Sequence, residues 1–225
     1  MALKLHGDPI STCTTRVITC LHEKSLDFQL LPVNLFACEN KLPSFLAKNP
    51  FGQIPVLEDG DLTIFESRAI TSYLSDKFKD SSTDLIRHQN LKEAAMVKLW
   101  SEVESQQFNP PISAIVHQFF VAPLQGNSPD EKIISDNLEK LGKVLDVYET
   151  RLTGNKYLAG DFYSLADLHH LSYTYYFMKT PHADLINDRP RVKAWWVDIS
   201  SRPAFQKVAE GMNFGDELKQ EEGSN

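Results

Sequence analysis

Leu3 and Leu5 flank Lys4 at the start of the chain, and this alternation of apolar and polar positions predicts a short, half-buried strand. Gly7, Asp8 and Pro9 end it. The period then lengthens, since Cys13, Val17, Cys20 and Leu21 fall on one side of a helix that Ser11 or Thr12 can cap. Phe28, Leu30 and Leu31 predict a second strand ending near Pro32 and Val33, and a strand, helix, strand order is by default a right-handed βαβ unit. Residues 34–48 have mixed polarity, with one short helical turn around Leu42, Phe45 and Leu46 in an otherwise exposed loop. Two further apolar runs, Val56-Leu57 and residues 62–65, are joined across Asp59-Gly60, a type I′ turn signal. Ile70, Tyr73, Leu74 and Phe78 then repeat at helical spacing, so a helix begins at Glu66-Ser67.

The pattern changes after residues 80–84, a polar DSSTD stretch. Beyond it no strand is predicted. Leu91, Ala95 and Leu99 begin a long helix that must bend or stop near Pro110-Pro111, because proline removes a donor and crowds the preceding turn. Ile134, Leu138, Leu141, Leu145, Tyr148 and Leu152 mark the clearest helix, stopped by Gly154. Ser164 to Asp167 read as a capping box opening a central helix through Leu168, Leu171, Tyr175 and Met178. Val192, Trp195, Trp196 and Ile199 form another, and Phe205, Val208, Ala209 and Met212 a last one. The predicted fold class is therefore α/β plus all-α: a thioredoxin-like βαβ-ββα domain over 1–80, a linker at 81–87, an all-helical domain over 88–215 and a polar tail at 216–225.

Composition narrows the function classes. With 225 residues there is ample core for two small domains, and a net charge of -7 provides no footprint for nucleic acid or an anionic membrane. Neither partner is expected. Residues 1–6 carry no apolar signal core and no stretch approaches a membrane span, which points to a cytoplasmic address. Cys13, Cys20 and Cys38, three thiols without zinc-ligand spacing, read as reduced. His169 and His170 are adjacent, about 100° apart on a helix, and do not share an ion, so no metal is implied.

Residues 49–70, NPFGQIPVLEDGDLTIFESRAI, make the strongest local commitments. Free backbone N–H groups at the helix start, beside the Ser67 hydroxyl, suit a carboxylate. Pro55 is a candidate cis-proline that turns the main chain at Ile54 outward to pair with an extended peptide. A plain hairpin and helix with no ligand fits these residues equally well.

Together with DPISTCTTRV near the start and YLAGDFYSLADL in the helical half, that stretch resembles the glutathione transferases, specifically the phi class of plants. The resemblance covers nearly the whole chain and implies glutathione as co-substrate without a further cofactor, a small hydrophobic electrophile as second substrate, and a homodimer. It implies that Ser11 donates its hydroxyl to the glutathione sulfur, with Arg16 at the expected interval and Thr12 as a supporting neighbour. Asn40 and Lys41 match the pair that reaches the glycyl carboxylate; many relatives have His at the first position, and Asn carries no charge, so Lys41 dominates. Gln53 and Ile54, ahead of Pro55, match the pair on the cysteinyl backbone, Glu66 and Ser67 those on the γ-glutamyl end, and Phe51 an aromatic inserted into the partner's helical domain.

The chemical task is to ionise a thiol. With a pKa of about 8.5 a free thiol is only a few per cent thiolate at pH 7. Serine cannot act as the base. A hydroxyl donor and a helix N-terminus both favour the thiolate, and Ile10, Phe36, Phe119, Phe120 and Tyr176 are candidates for the electrophile pocket. Cys13, about 200° round the helix from Ser11, is expected to face the domain interior. The expected activity is conjugation, extended to reduction of organic hydroperoxides. The alternatives are a non-catalytic carrier of small apolar metabolites and, more weakly, a thiol-disulfide exchanger using Cys13.

Overall fold

The computed structural model describes residues 3–213, so the polar tail at 216–225 lies outside the described residues. The chain divides into two compact units, one reaching Ile86 and taking back Pro203–Met212, the other containing Arg87–Arg202.

In the first unit β1 (Leu3–Gly7) is central, and α1 (Thr12–Glu23) carries the chain to β2 (Phe28–Pro32), which pairs with β1 in parallel, Leu5 opposite Leu30. The loop over residues 34–48 holds a 3-10 turn, Glu39–Lys41, and the short α2 (Pro43–Leu46). β3 (Val56–Asp59) and β4 (Leu62–Phe65) form the hairpin, and α3 (Ser67–Lys77) follows. The strand order is β2-β1-β3-β4, with β3 antiparallel to both neighbours. Leu5, Val17, Leu21, Leu57, Ile70 and Leu74 are completely buried, which is the core that the two periodicities predict.

Two local details differ from the pattern. The hairpin loop is Gly60-Asp61, closed by the Asp59–Leu62 pair. Of these two residues only Gly60, at φ +66°, has a positive φ, the sign pattern of a type II′ turn instead of type I′. That frame needs a positive φ at its first central position, which glycine adopts without steric cost. α1 is also buried on more than its apolar side, since Thr14, Thr15, Arg16 and Thr19 are inside as well. The hydroxyls of Thr15 and Thr19 donate to the carbonyls of Ser11 (3.0 Å) and Thr15 (2.8 Å), four residues back, so they need no water.

Within the expected linker at 81–87, Ser82 and Thr83 are tied to the end of α1. Lys24 Nζ donates to the Thr83 carbonyl at 2.9 Å and Ser82 Oγ to the Glu23 carbonyl at 2.8 Å, while Leu85 is completely buried.

Every regular element among the described residues of the second unit is a helix. α4 (Leu91–Val103) is capped by Asn90, whose Oδ1 accepts from Lys92 and Glu93 N–H. The Pro110-Pro111 pair does not stop the helical path. α5 (Asn109–Val116) contains both prolines in its first turn, between π-helical turns at Glu104–Phe108 and His117–Val121. Wider i→i+5 turns absorb the missing donors. α6 (Glu131–Arg151) is capped by Asp130 and buries Ile134, Leu141, Leu145 and Tyr148.

The single central helix read from Ser164 onward is in two pieces, α7 (Leu165–Leu168) and α8 (Leu171–Phe177), separated by a tight turn at His169-His170. α9 (Asp184–Asn187) and α10 (Pro190–Ser200) follow. The capping box is present, and the Asp167 carboxylate also accepts from Leu158 N–H (3.0 Å) and Trp195 Nε1 (3.0 Å). Burial pushes the Asp167 carboxyl up to about 6, against those hydrogen bonds. The His170 ring lies between Phe108 and Trp195 with Nε2 2.9 Å from the Tyr148 hydroxyl. α11 (Pro203–Ala209), which the pattern assigns to the helical domain, packs on α1 in the first unit and buries Phe205 and Val208. An amphipathic helix reports that it has a buried face, not which neighbour covers it.

Candidate functional site

A cleft of about 340 Å³ opens in the first unit. One end is made by the 3-10 turn and the NPFG turn. There Asn40 Nδ2 donates to the Gly52 carbonyl at 2.8 Å, and Lys41 Nζ donates to the same oxygen at 2.9 Å and to the Phe51 carbonyl at 3.3 Å. Asn49 accepts from Phe51 N–H (3.1 Å) and donates to the Gln53 carbonyl (2.7 Å). Three successive carbonyls are thus held by side chains. An ammonium has three donors, so the third is left for a ligand. Gly52, at φ +59°, has no room for a Cβ, which would stand 2.7 Å from the Asn40 carbonyl oxygen. Beside this turn Lys48 bonds the Glu58 carboxylate of β3, a bond that holds Glu58 below the usual carboxylate range.

The middle of the cleft is the Ile54-Pro55 peptide, which is cis. β3 begins at Val56, so Gln53 and Ile54 lie ahead of the ladder at the cleft edge. The far end is the start of α3, where Glu66 is exposed and occupies φ +68°, ψ +107°, an uncommon conformation for a side chain larger than glycine. Ser67 forms the floor beside it, 4 % exposed, accepting a 2.7 Å bond from Arg16 Nη1. The lining cations are Lys41 and Arg68, and the lining carboxylate is Glu66.

Ser11 is the N-cap of α1. Its Oγ accepts from Thr14 N–H at 3.4 Å, which leaves the O–H proton for another acceptor. Thr12 beside it is half-buried. The α1 residue lining the cleft is Cys13, a correction to the expectation that it faces the interior. Ser11 has extended backbone angles (φ -73°, ψ 121°), so the 100° step per residue starts only after it. Cys13 is half-buried, with Sγ 3.7 Å from Arg16 Nη1.

The aromatic candidates separate by unit. In the first, Ile10 is half-buried on a loop pinned by Asp8 Oδ1, and Phe36 is 61 % exposed. In the second, Phe119 and Phe120 ride the π-helical turn at His117–Val121, and the Phe120 ring lies 5.3 Å from that of Tyr176. Tyr176 is completely buried, so it backs Phe120 and offers no surface of its own. Phe51 is 66 % exposed, its ring edge-on to Phe65.

Sequence reasoning missed Cys13, Leu35, Asn49, Gly52 and Arg68 in the cleft. Asn49 precedes a proline and Gly52 stands in the same turn, a signal for a side-chain-braced loop. Cys13 and Arg68 had no comparable local sign.

Residues 1–76 match the glutathione S-transferase N-terminal domain and residues 108–203 the glutathione S-transferase C-terminal domain. The chain is 66 % identical over 212 residues to glutathione S-transferase F13 of Arabidopsis thaliana, covering 94 % of this chain and 97 % of that one. The chain belongs to the phi-class glutathione S-transferases. The fold of this transferase superposes on the crystal structure of glutathione transferase F7 from Populus trichocarpa with a TM-score of 0.93 at 73 % identity, covering 94 % of this chain and 100 % of that one. It is also similar to glutathione S-transferase I from maize in complex with an atrazine glutathione conjugate, with a TM-score of 0.88 at 47 % identity and coverage of 94 % and 98 %. Glutathione is therefore the co-substrate, and the reaction joins its sulfur to an electrophile with loss of a leaving group.

Proposed function

We propose that this transferase activates glutathione through the Ser11 hydroxyl and conjugates it to small hydrophobic electrophiles. The observation that supports the reading best is the charge order of the cleft: a lysine with one spare donor at one end, and a carboxylate beside a helix N-terminus at the other. Glutathione carries a glycyl carboxylate at one end and an ammonium with a carboxylate at the other. Lys41 takes the glycyl carboxylate, Gln53 and Ile54 the cysteinyl backbone, Glu66 the ammonium and Ser67 the γ-glutamyl carboxylate. Asn40 acts behind Lys41, since its amide already holds Gly52.

Ser11, with its proton uncommitted at the positive end of α1, stabilises the thiolate by donation and by the helix field. A hundredfold gain in thiol acidity is worth about 2.7 kcal/mol. The same thiolate attacks the terminal oxygen of an organic hydroperoxide: the O–O bond breaks, the alkoxide leaves and takes up a proton as the alcohol, and a second glutathione converts the resulting glutathione sulfenic acid to glutathione disulfide and water. Ile10 and Phe36 of the first unit supply apolar surface for the second substrate. Turnover of an activated aryl halide and the thiolate ultraviolet absorbance of bound glutathione test this reading. In Ser11→Ala both fall, turnover by about a hundredfold; equal rates in the two proteins would leave a carrier of apolar metabolites as the function.

We also propose a homodimer. The exposed Phe51 stands on a braced turn, and the second unit carries a mainly apolar groove of about 500 Å³ beside Trp100, Val147, Thr150 and Arg151, with Val147 57 % exposed. Phe51 of one copy fills this groove in the other. Sedimentation of Phe51→Ala gives monomers under conditions where the unmodified protein is dimeric; an unchanged dimer would remove Phe51 from the contact.

A further inference from the structure

Beneath the cleft, and outside its lining, lies the guanidinium of Arg16. Arg16 is 1 % exposed, and its Nη1 donates to Ser67 Oγ at 2.7 Å, joining α1 to α3 across 51 positions of sequence. A serine hydroxyl has one proton and two lone pairs. Because Ser67 accepts from Arg16, its own proton is left to donate elsewhere, and Ser67 stands in the cleft wall. A guanidinium is permanently charged and planar. Held within protein, it acts on nearby anions more strongly than it would in water.

We propose that Arg16 is a positioning residue for the γ-glutamyl carboxylate: it orients the Ser67 hydroxyl to donate to that carboxylate and sets a fixed positive charge one hydroxyl behind it. This rests on the reading that Ser67 receives the γ-glutamyl carboxylate. Arg16 touches neither substrate. It also lies near Cys13 Sγ, at 3.7 Å, so an action on the sulfur end is the competing outcome.

The test uses the full chain, steady-state kinetics at saturating electrophile and two thiols, glutathione and 4-aminobutyryl-cysteinyl-glycine, which lacks the γ-glutamyl carboxylate. Arg16→Gln raises KM for glutathione about tenfold and changes kcat by less than about twofold. With the analogue Arg16→Gln and the unmodified protein have the same KM. In a Ser67→Ala background Arg16→Gln adds less than about a twofold effect, as expected for residues acting as one unit. A fall in kcat at constant KM, or an equal loss with both thiols, overturns the proposal. The outcomes separate the two levels of the argument. An unchanged KM in Ser67→Ala overturns the assignment of Ser67 itself, whereas a normal Ser67→Ala loss with an unaltered Arg16→Gln overturns only the role of Arg16. Should Arg16→Gln not fold by thermal melt, Arg16→Lys carries the test: it keeps the charge without the planar fork, and about a threefold rise in KM for glutathione alone is expected. The same rise with the analogue would overturn the proposal.

Discussion

Arg16 in the first unit and Asp167 in the second are both buried ionic side chains, yet their surroundings use them differently. Asp167 is surrounded by donors from its own unit: the Ser164 N–H and hydroxyl, the Leu158 N–H and the Trp195 indole. That network closes on itself and holds α7 to α10. Arg16 instead turns a hydroxyl toward an open cleft. The same contrast runs through the backbone. In the first unit Gly52 and Glu66 hold positive φ beside the cleft, whereas the second unit's specialised turns, the π segments around the two prolines, keep a long helical path continuous. A closed polar network stabilises a fold, and an open one is available to a ligand.

Breaking the closed network has the largest expected effect. Asp167→Ala strands several buried donors, each costing about 1–3 kcal/mol, and about 4 kcal/mol should be lost in chemical denaturation. Next comes a pH signature. The Asp167 carboxyl is raised from 3.8 to about 6 in the folded chain, so the folded state binds the proton more tightly than the unfolded one. Stability from this group is full below about pH 4 and falls as pH rises to about 6, by roughly 3 kcal/mol at 1.36 kcal/mol per pH unit. The stability advantage of the unmodified protein over Asp167→Asn should shrink across that interval, and a constant difference would contradict it.

The open side responds in binding, not in folding. Gly52→Ala should raise the KM for glutathione about tenfold, about 1.4 kcal/mol, because the new methyl displaces Asn40 and with it Lys41. Smallest is Cys13→Ser, which should leave conjugation within about twofold. Mass spectrometry of the unmodified protein with glutathione disulfide would show a Cys13 adduct if thiol exchange were the function.

Legibility followed the range of the interactions. The hairpin, the α3 start and the Ser164-Asp167 box depend on residues a few positions apart, and all three were readable. The cis peptide before Pro55 was readable from its turn context. The partner of Arg16 lies on α3, and α11 docks on α1 from the far end of the chain, so spacing alone held no sign of either. Cys13 failed for a smaller reason: one extended residue at the cap shifts the helical wheel of everything after it. The break at His169-His170 follows from tertiary packing, with His170 held by Tyr148 from α6.

The return of α11 to α1 bears on biosynthesis. Burial and the nearby Lys207 of α11 both lower the pKa of His22, so this face of α1 is covered by the last described helix. Translation delivers residues 203–209 only after all of 87–202. While the ribosome is still making the helical unit, the glutathione-binding unit is therefore missing the helix that packs on α1, and its closure waits for residues 203–209.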